Sequence, residues 1–203
     1  MPMDNDKLFN LDDEQLVPVR GSLLVAKPTV EDPIFRRSVV LMIEHDKQGS
    51  MGLMISNYQG WTLKHQLADV DCERGIPVFL GGPVGMDQLF YLHTLGPEVI
   101  PDALSLGGGL YLGGDFDVMQ DYLRHRRPDD GIEGCIKFCL GYSGWEAGQL
   151  QQEIDRHDWA VVDALPLATI MSDQCDNIWH EAVAQFGDRY RLWLNWPIDP
   201  SFN

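Results

Sequence analysis

Gly141-Tyr142-Ser143-Gly144-Trp145-Glu146-Ala147-Gly148-Gln149-Leu150 sets three glycines and an indole between an apolar run and an amphipathic one. Glycine loses the most backbone freedom on folding, so this density marks turns or close approaches that a side chain would block. The run before it, Cys135 to Leu140, reads as a strand. The run after it places Leu150 and Ile154 on one helical face, which predicts a helix over Gly144 to Asp155. Strands and helices are interspersed along the chain, but an early hairpin and uneven spacing do not give a clean parallel βαβ series, which points to an α+β domain rather than a doubly wound parallel sheet.

The elements on either side agree. Ser22 to Ala26 reads as a strand, and Asp32-Pro33 offers an N-cap followed by proline, hence one short turn. Ser38 to Glu44 is apolar at successive positions, as expected of a central strand buried on both faces. Met51 to Asn57 pairs with it through the turn chemistry of Asp46-Lys47-Gln48-Gly49. Thr62 to Ala68 reads as a helix capped by Thr62. Ile76 to Leu80 is a strand stopped by Gly81-Gly82-Pro83, and Leu89 to His93 is another. Gly107 to Gly114 reads as a strand between glycine turns. Asp115 then caps a helix that turns Phe116, Met119, Tyr122 and Leu123 inward. Trp159 to Val162 is a strand. Asp176 to Gln185 is a helix burying Ile178, Trp179, Ala182, Val183 and Phe186, with Gly187 at its end. Leu8 to Val17 suggests a short leading helix stopped by Pro18. The expected organisation is an extension over residues 1–18 and one domain over 19–203.

Composition narrows function. Lys plus Arg total 15 against 31 for Asp plus Glu, and the resulting charge of -16 repels phosphate backbones and anionic lipid. Direct nucleic-acid or membrane binding is therefore not expected. The best basic cluster, Arg124-His125-Arg126-Arg127, is followed by Asp129 and Asp130 and reads as a solvated helix end. No segment reaches membrane-spanning length, and the acidic start is unlike a secretory signal, so a cytoplasmic location is expected. Cys72, Cys135, Cys139 and Cys175 do not form a disulfide framework. Cys135 and Cys139 fall on one face of a strand-like run and read as core residues.

Several chemistries fail on spacing. Gly141-Tyr142-Ser143-Gly144-Trp145 approaches a serine-hydrolase elbow, but an indole stands where the sharp turn needs a small residue. Ser143 and Glu146 have capping-box spacing, and structural capping is the preferred reading. The glycine runs match neither a P-loop nor a dinucleotide fingerprint. His180-Glu181 lacks the second histidine of a zincin helix, and His45, His65, His93, His125 and His157 are isolated, so neither metal nor cofactor is expected. Two polar clusters remain. Glu44-His45-Asp46 closes an apolar strand and offers Glu44 and His45 as an acid-base pair, or simply the lip of a hairpin. Asn57 ends the next strand. A short turn sets Glu44 opposite Met51 and Asn57 opposite Ser38, about 20 Å apart at ~3.3 Å per residue.

Leu24-Val25-Ala26-x-Pro28, Asp32-Pro33-x-Phe35-x-Arg37-Ser38-Val39, Glu44-His45, Gly49-x-Met51-Gly52-Leu53, Gly81-Gly82-Pro83-Val84, Leu140 to Trp145 with Gly148-Gln149-Leu150, and Pro197-x-Asp199-Pro200-Ser201-x-Asn203 together resemble the AlgH/YqgE family. The resemblance runs from about Val19 to Asn203. It implies a single α+β domain in which a bent, split, mostly antiparallel β-sheet forms a pseudo-barrel with flanking helices. It carries no catalytic residue or cofactor across, and its name implies a regulatory association. Gln151 stands where that family frequently has glutamate. The function expected is a binding module for a small ligand or protein partner with an indirect regulatory role, the ligand-binding candidates being Asn57, Gly81, Gly82, Pro83, Tyr142, Gly144, Trp145 and Gln149. The alternative is a hydrolase-like enzyme using Glu44 and His45, and a direct transcriptional regulator ranks third. Homo-oligomerisation is left open.

Overall fold

The central strand behaves as its apolar run requires. In the computed structural model, which describes residues 16–66, 75–125, 132, 134–187 and 190–197, Val39, Leu41 and Ile43 enter one core cluster while Val40 and Met42 enter another. That strand, β2 (Val39–His45), lies between β1 (Leu23–Ala26) and β3 (Gly49–Met54) in antiparallel register. The remaining strands are β4 (Tyr58–Thr62), β5 (Pro77–Leu80), β6 (Val84–His93), β7 (Leu104–Gly107), β8 (Leu110–Leu112), β9 (Ile136–Glu146) and β10 (Trp159–Val162). The order β10-β1-β2-β3-β9-β6-β8-β7, with β4 beside β5 and β5 beside β9, makes one 10-stranded sheet that does not close into a barrel. Every pairing is antiparallel except β5 with β9.

Strand β9 is where the sheet splits. Its first half pairs with β5 and β6, through Phe138 with Val78 and Tyr91. Its second half pairs with β3, from Ser143 opposite Gly52 to Glu146 opposite Gly49. The exchange falls at Gly141, whose φ of 68° is a left-handed conformation that side chains resist. Gly81 and Gly82 cross this point at backbone contact: a Cβ on Gly81 would lie 2.2 Å from the Gly141 carbonyl oxygen, and one on Gly82 would lie 2.2 Å from that of Tyr142.

Two half-sheets thus share an inner cluster, to which the first contributes Leu23 and Leu53 and the second Phe79, Leu92 and Cys139. The helices are α1 (Leu63–Gln66), α2 (Phe116–His125), α3 (Gln149–Asp155), α4 (Leu167–Ile170), α5 (Cys175–Ala184) and α6 (Arg191–Asn195). Ile178, Trp179, Ala182 and Val183 of α5 and Trp193 of α6 cover the inner cluster. Helix α3 packs Leu150 and Ile154 against the outer face of the first half-sheet, and α2 packs Met119 and Leu123 against the outer face of the second. Buried Lys137 donates from Nζ to the carbonyls of Ile170 (3.1 Å) and Ser172 (2.7 Å) and lies over the Phe79 ring, tying α4 to β9. Desolvation lowers its pKa from the usual lysine value, and burial raises the Cys139 thiol to about 12.

Several expectations change. The predicted helix over Gly144 to Asp155 is strand as far as Glu146, and α3 begins at Gln149 behind Gly148, a left-handed N-cap. No Ser143–Glu146 capping box forms. The Ser143 hydroxyl is buried and donates to the Gly81 carbonyl at 3.1 Å, while the Glu146 backbone N–H donates to Gln149 Oε1 at 2.9 Å. β9 continues because β3 supplies a ladder there, and a paired strand outweighs a local cap. Phe116 is exposed rather than inward, and Cys135 sits in the turn before β9 against the outer cluster, away from Cys139. Asp115 caps α2 as expected, accepting from the N–H groups of Asp117 and Val118. The expected helix over Leu8 to Val17, Ala68, Cys72 and the Asp199 to Asn203 motif fall wholly or mainly outside the described residues.

Candidate functional site

Trp145 leads to the candidate site. Alternation along β9 turns its side chain to the outer face of the first half-sheet, where it meets Trp159 of β10 edge to face, ring centroids 6.0 Å apart. Both indole N–H groups donate to one oxygen, Glu153 Oε2, at 2.8 Å each, and the other oxygen accepts from Gln149 Nε2 at 2.9 Å. A carboxylate on α3 therefore fixes both indoles and its own helix neighbour. Phe35 adds a third ring edge to face with Trp159, at 5.6 Å. The Trp145 ring does not lie over the strand end near Tyr142. Tyr142 packs on Phe90 instead, because residues 142 and 145 of one strand point to opposite faces.

Beside this cluster opens a cavity of about 820 Å³ between α3 and the loop that follows β1. Pro83, Gly144, Trp145 and Gln149 of the expected residues line it. So do residues that the sequence did not mark as binding candidates: Lys27, Glu31 and Asp32 from the loop, and Glu153, Arg156 and Asp158 from α3 and its end. Arg156 and Asp158 pair at 3.1 Å. The carboxylates of Glu31, Asp32, Glu153 and Asp158 outnumber the cations of Lys27 and Arg156, so the wall is net acidic. No spacing rule unites these residues. They meet because β1 pairs with β10, with Ala26 opposite Trp159.

The other candidates go elsewhere. Gly81 and Gly82 lie at the strand crossing and serve the backbone approach described above. Asn57 lines a separate cavity of about 460 Å³ with Arg37, Ser38 and Trp179. A bulge between Met42 and Glu44 shifts the hairpin register, so Glu44 faces Met51 as expected while Val39 is tied to Ser56, its N–H donating to Ser56 Oγ at 2.8 Å. Glu44 is exposed, and His45 Nδ1 lies 2.7 Å from Ser50 Oγ across the hairpin. Neighbours on a strand point to opposite faces, and neither residue lines either cavity. Among the described residues, no group of three or more His, Cys, Asp or Glu is placed to hold a metal ion.

Ser143→Ala should lower stability by about 1 kcal/mol, the worth of one net hydrogen bond, in denaturant unfolding. A loss several times larger would mean the hydroxyl holds more of the strand crossing together than its single bond to Gly81.

The fold and cavity define an α+β domain with a glycine-pinned split sheet and an aromatic-floored pocket on one outer face. Comparison places it: a profile of the AlgH-like family matches residues 23–191, and the chain belongs to that family. A UPF0301 protein of Parabacteroides distasonis is 38% identical over 97% of both chains, and one of Bacteroides fragilis 39% identical over 98% of both. The solution structure of AlgH from Pseudomonas aeruginosa, 28% identical, superposes with a TM-score of 0.67 over 91% of this chain and 98% of that one. The crystal structure of DIP2367 from Corynebacterium diphtheriae, at 21% identity, shares the fold with a TM-score of 0.75, covering 94% and 98%. No helix among the described residues is long and apolar enough to cross a membrane.

Proposed function

We propose that this chain is a cytoplasmic small-ligand-binding module whose site is the cavity between α3 and the loop after β1, and that any regulatory effect follows from ligand occupancy rather than from contact with DNA. The observation that carries the reading is the cavity itself. Its volume of about 820 Å³ lies within the span of small-molecule sites, and its aromatic floor is fixed beforehand by the shared bonds to Glu153. Pre-organised walls reduce the ordering cost of binding. Ring edges and Pro83 offer apolar contact, while Glu31 and Asp32 favour a ligand with a cationic or donor-rich end.

A metabolite-library screen on ¹⁵N-labelled protein, read at the indole N–H resonances of Trp145 and Trp159, tests this. Amine-bearing compounds should produce saturable shifts at both indoles, weakened when Glu31 and Asp32 are changed together to Gln and Asn. A library that moves neither resonance, or moves them equally in that variant, overturns the reading. The chemistry of the Glu44–His45 alternative has no comparable support, since the pair neither converges nor enters the cavity.

A further inference from the structure

We propose that the second cavity, between the base of the β2–β3 hairpin and the first turns of α5, binds a small ligand through an oxyanion, a phosphate or carboxylate group. Among the described residues it shares no lining residue with the tryptophan pocket.

Three observations converge. The first is charge. In a chain of net charge -16, this cavity is lined by Arg36 and Arg37, with no carboxylate among its described lining residues. The second is the hydroxyl of Ser38. This residue is 2% exposed, and its Oγ is buried with no hydrogen-bond partner while lining the cavity. A buried hydroxyl left unpaired costs free energy, and an oxyanion at hydrogen-bond distance would accept from it. The third is the pose of Arg37. Its backbone holds a φ of 52°, uncommon for a residue with a side chain, and its guanidinium lies 5.1 Å from the Trp179 ring centroid. Nη2 donates to the Trp196 carbonyl. That bond uses one of five guanidinium N–H donors, so the group is anchored and keeps donors for a planar or tetrahedral anion.

The surroundings are fixed as well. Ser56 Oγ is held by the Val39 N–H at 2.8 Å, and the Asn57 amide donates to the Ile34 carbonyl at 3.4 Å. Cys175 opens α5, and the helix N-terminus adds favourable potential for an anion. Past Asn57 a second depression of about 560 Å³, bordered by Tyr58, Asp173, Gln174 and Asn177, gives room for the uncharged remainder of a ligand.

The test uses the full chain and inorganic phosphate, with acetate as the carboxylate probe and chloride as the ionic-strength control. Backbone amide NMR should show saturable shifts at Arg37, Ser38 and Asn57 with phosphate, acetate or both, and none of that pattern with chloride. Ser38→Ala separates binding from folding. Because the hydroxyl has no partner in the free protein, the variant should melt no lower than the parent while binding the anion about tenfold more weakly, as for a lost hydrogen bond to a charged group. Arg36→Gln, at an exposed position, should also weaken binding without unfolding the chain. The proposal is overturned by an absence of saturable shifts up to tens of millimolar anion, by equal shifts with chloride, or by unchanged affinity in Ser38→Ala. Failure here leaves the indole readout of the tryptophan pocket untouched.

Discussion

Gly82→Ala is expected to lower stability by about 3 kcal/mol or more in denaturant unfolding, at or beyond the upper end of the usual cost of overpacking. The added methyl carbon would stand 2.2 Å from the carbonyl carbon and oxygen of Tyr142 and 2.3 Å from the nitrogen of Ser143. Those atoms belong to the main chain of β9, so no rotamer change relieves the clash. Either β5 and β9 move apart or the turn into β6 is rebuilt, and each route breaks bonds such as the 2.8 Å link from the Gly81 N–H to the Leu140 carbonyl. Gly108→Ala is the control. Gly108 has a φ of 58°, and a methyl group added there would meet nothing within 4 Å, so only the left-handed conformation is penalised, by about 1–2 kcal/mol. Equal losses in the two variants would show that the strand crossing tolerates more than its geometry implies.

Trp145→Ala should cost about 3–5 kcal/mol, the range for deleting a large buried aromatic. The indole is 7% exposed, packs on Trp159 and leaves Glu153 one donor short when removed. Trp145→Phe resolves the contributions. It keeps a ring against Trp159 and loses only the N–H, and Glu153 retains its bonds from Trp159 and Gln149, so a loss of about 1 kcal/mol is expected. Thermal and denaturant unfolding with circular dichroism measure both. Unchanged stability in Trp145→Ala would remove the indole from the core and with it the rigid floor of the proposed site.

Local pattern is enough for β2, β10, α2 and α5, because each strand is a continuous apolar run and each helix carries a periodic apolar face or a cap that acts within a few residues. Trp159 to Val162 is a strand at its expected bounds, and Gly187 ends the last turn after α5 with a φ of 86°. The second half of β9 departs from its local pattern for a definite reason. Gly144 and the Ser143–Glu146 spacing suit a helix start, and only β3, some ninety residues earlier, supplies the ladder that keeps the segment extended. β4 and β7 lie away from the buried centre of the sheet with mostly exposed side chains, so neither shows the alternation that reveals a half-buried strand. The site is half legible. Trp145, Gln149 and Pro83 stand in motifs, whereas Glu153 reads as an ordinary helix-surface acid until the fold brings two indoles to it. Ser38 also stands in a motif, but nothing in that motif marks its hydroxyl as unpaired, since a missing partner is a property of the folded neighbourhood alone.

The pairing of β1 with β10 carries a consequence for the ribosome. One edge of β1 is satisfied only by residues 159–162, and β3 and β5 wait for residues 138–146. Long-range strand partners of this kind slow folding, and unpaired edges invite association with other chains. Throughout most of its synthesis the nascent polypeptide therefore exposes β1, β3 and β5 edges without their final neighbours. Chains stalled before β9 emerges should be ready substrates for holding chaperones, and a premature stop anywhere upstream of Trp159 should leave an aggregation-prone fragment rather than a smaller working domain.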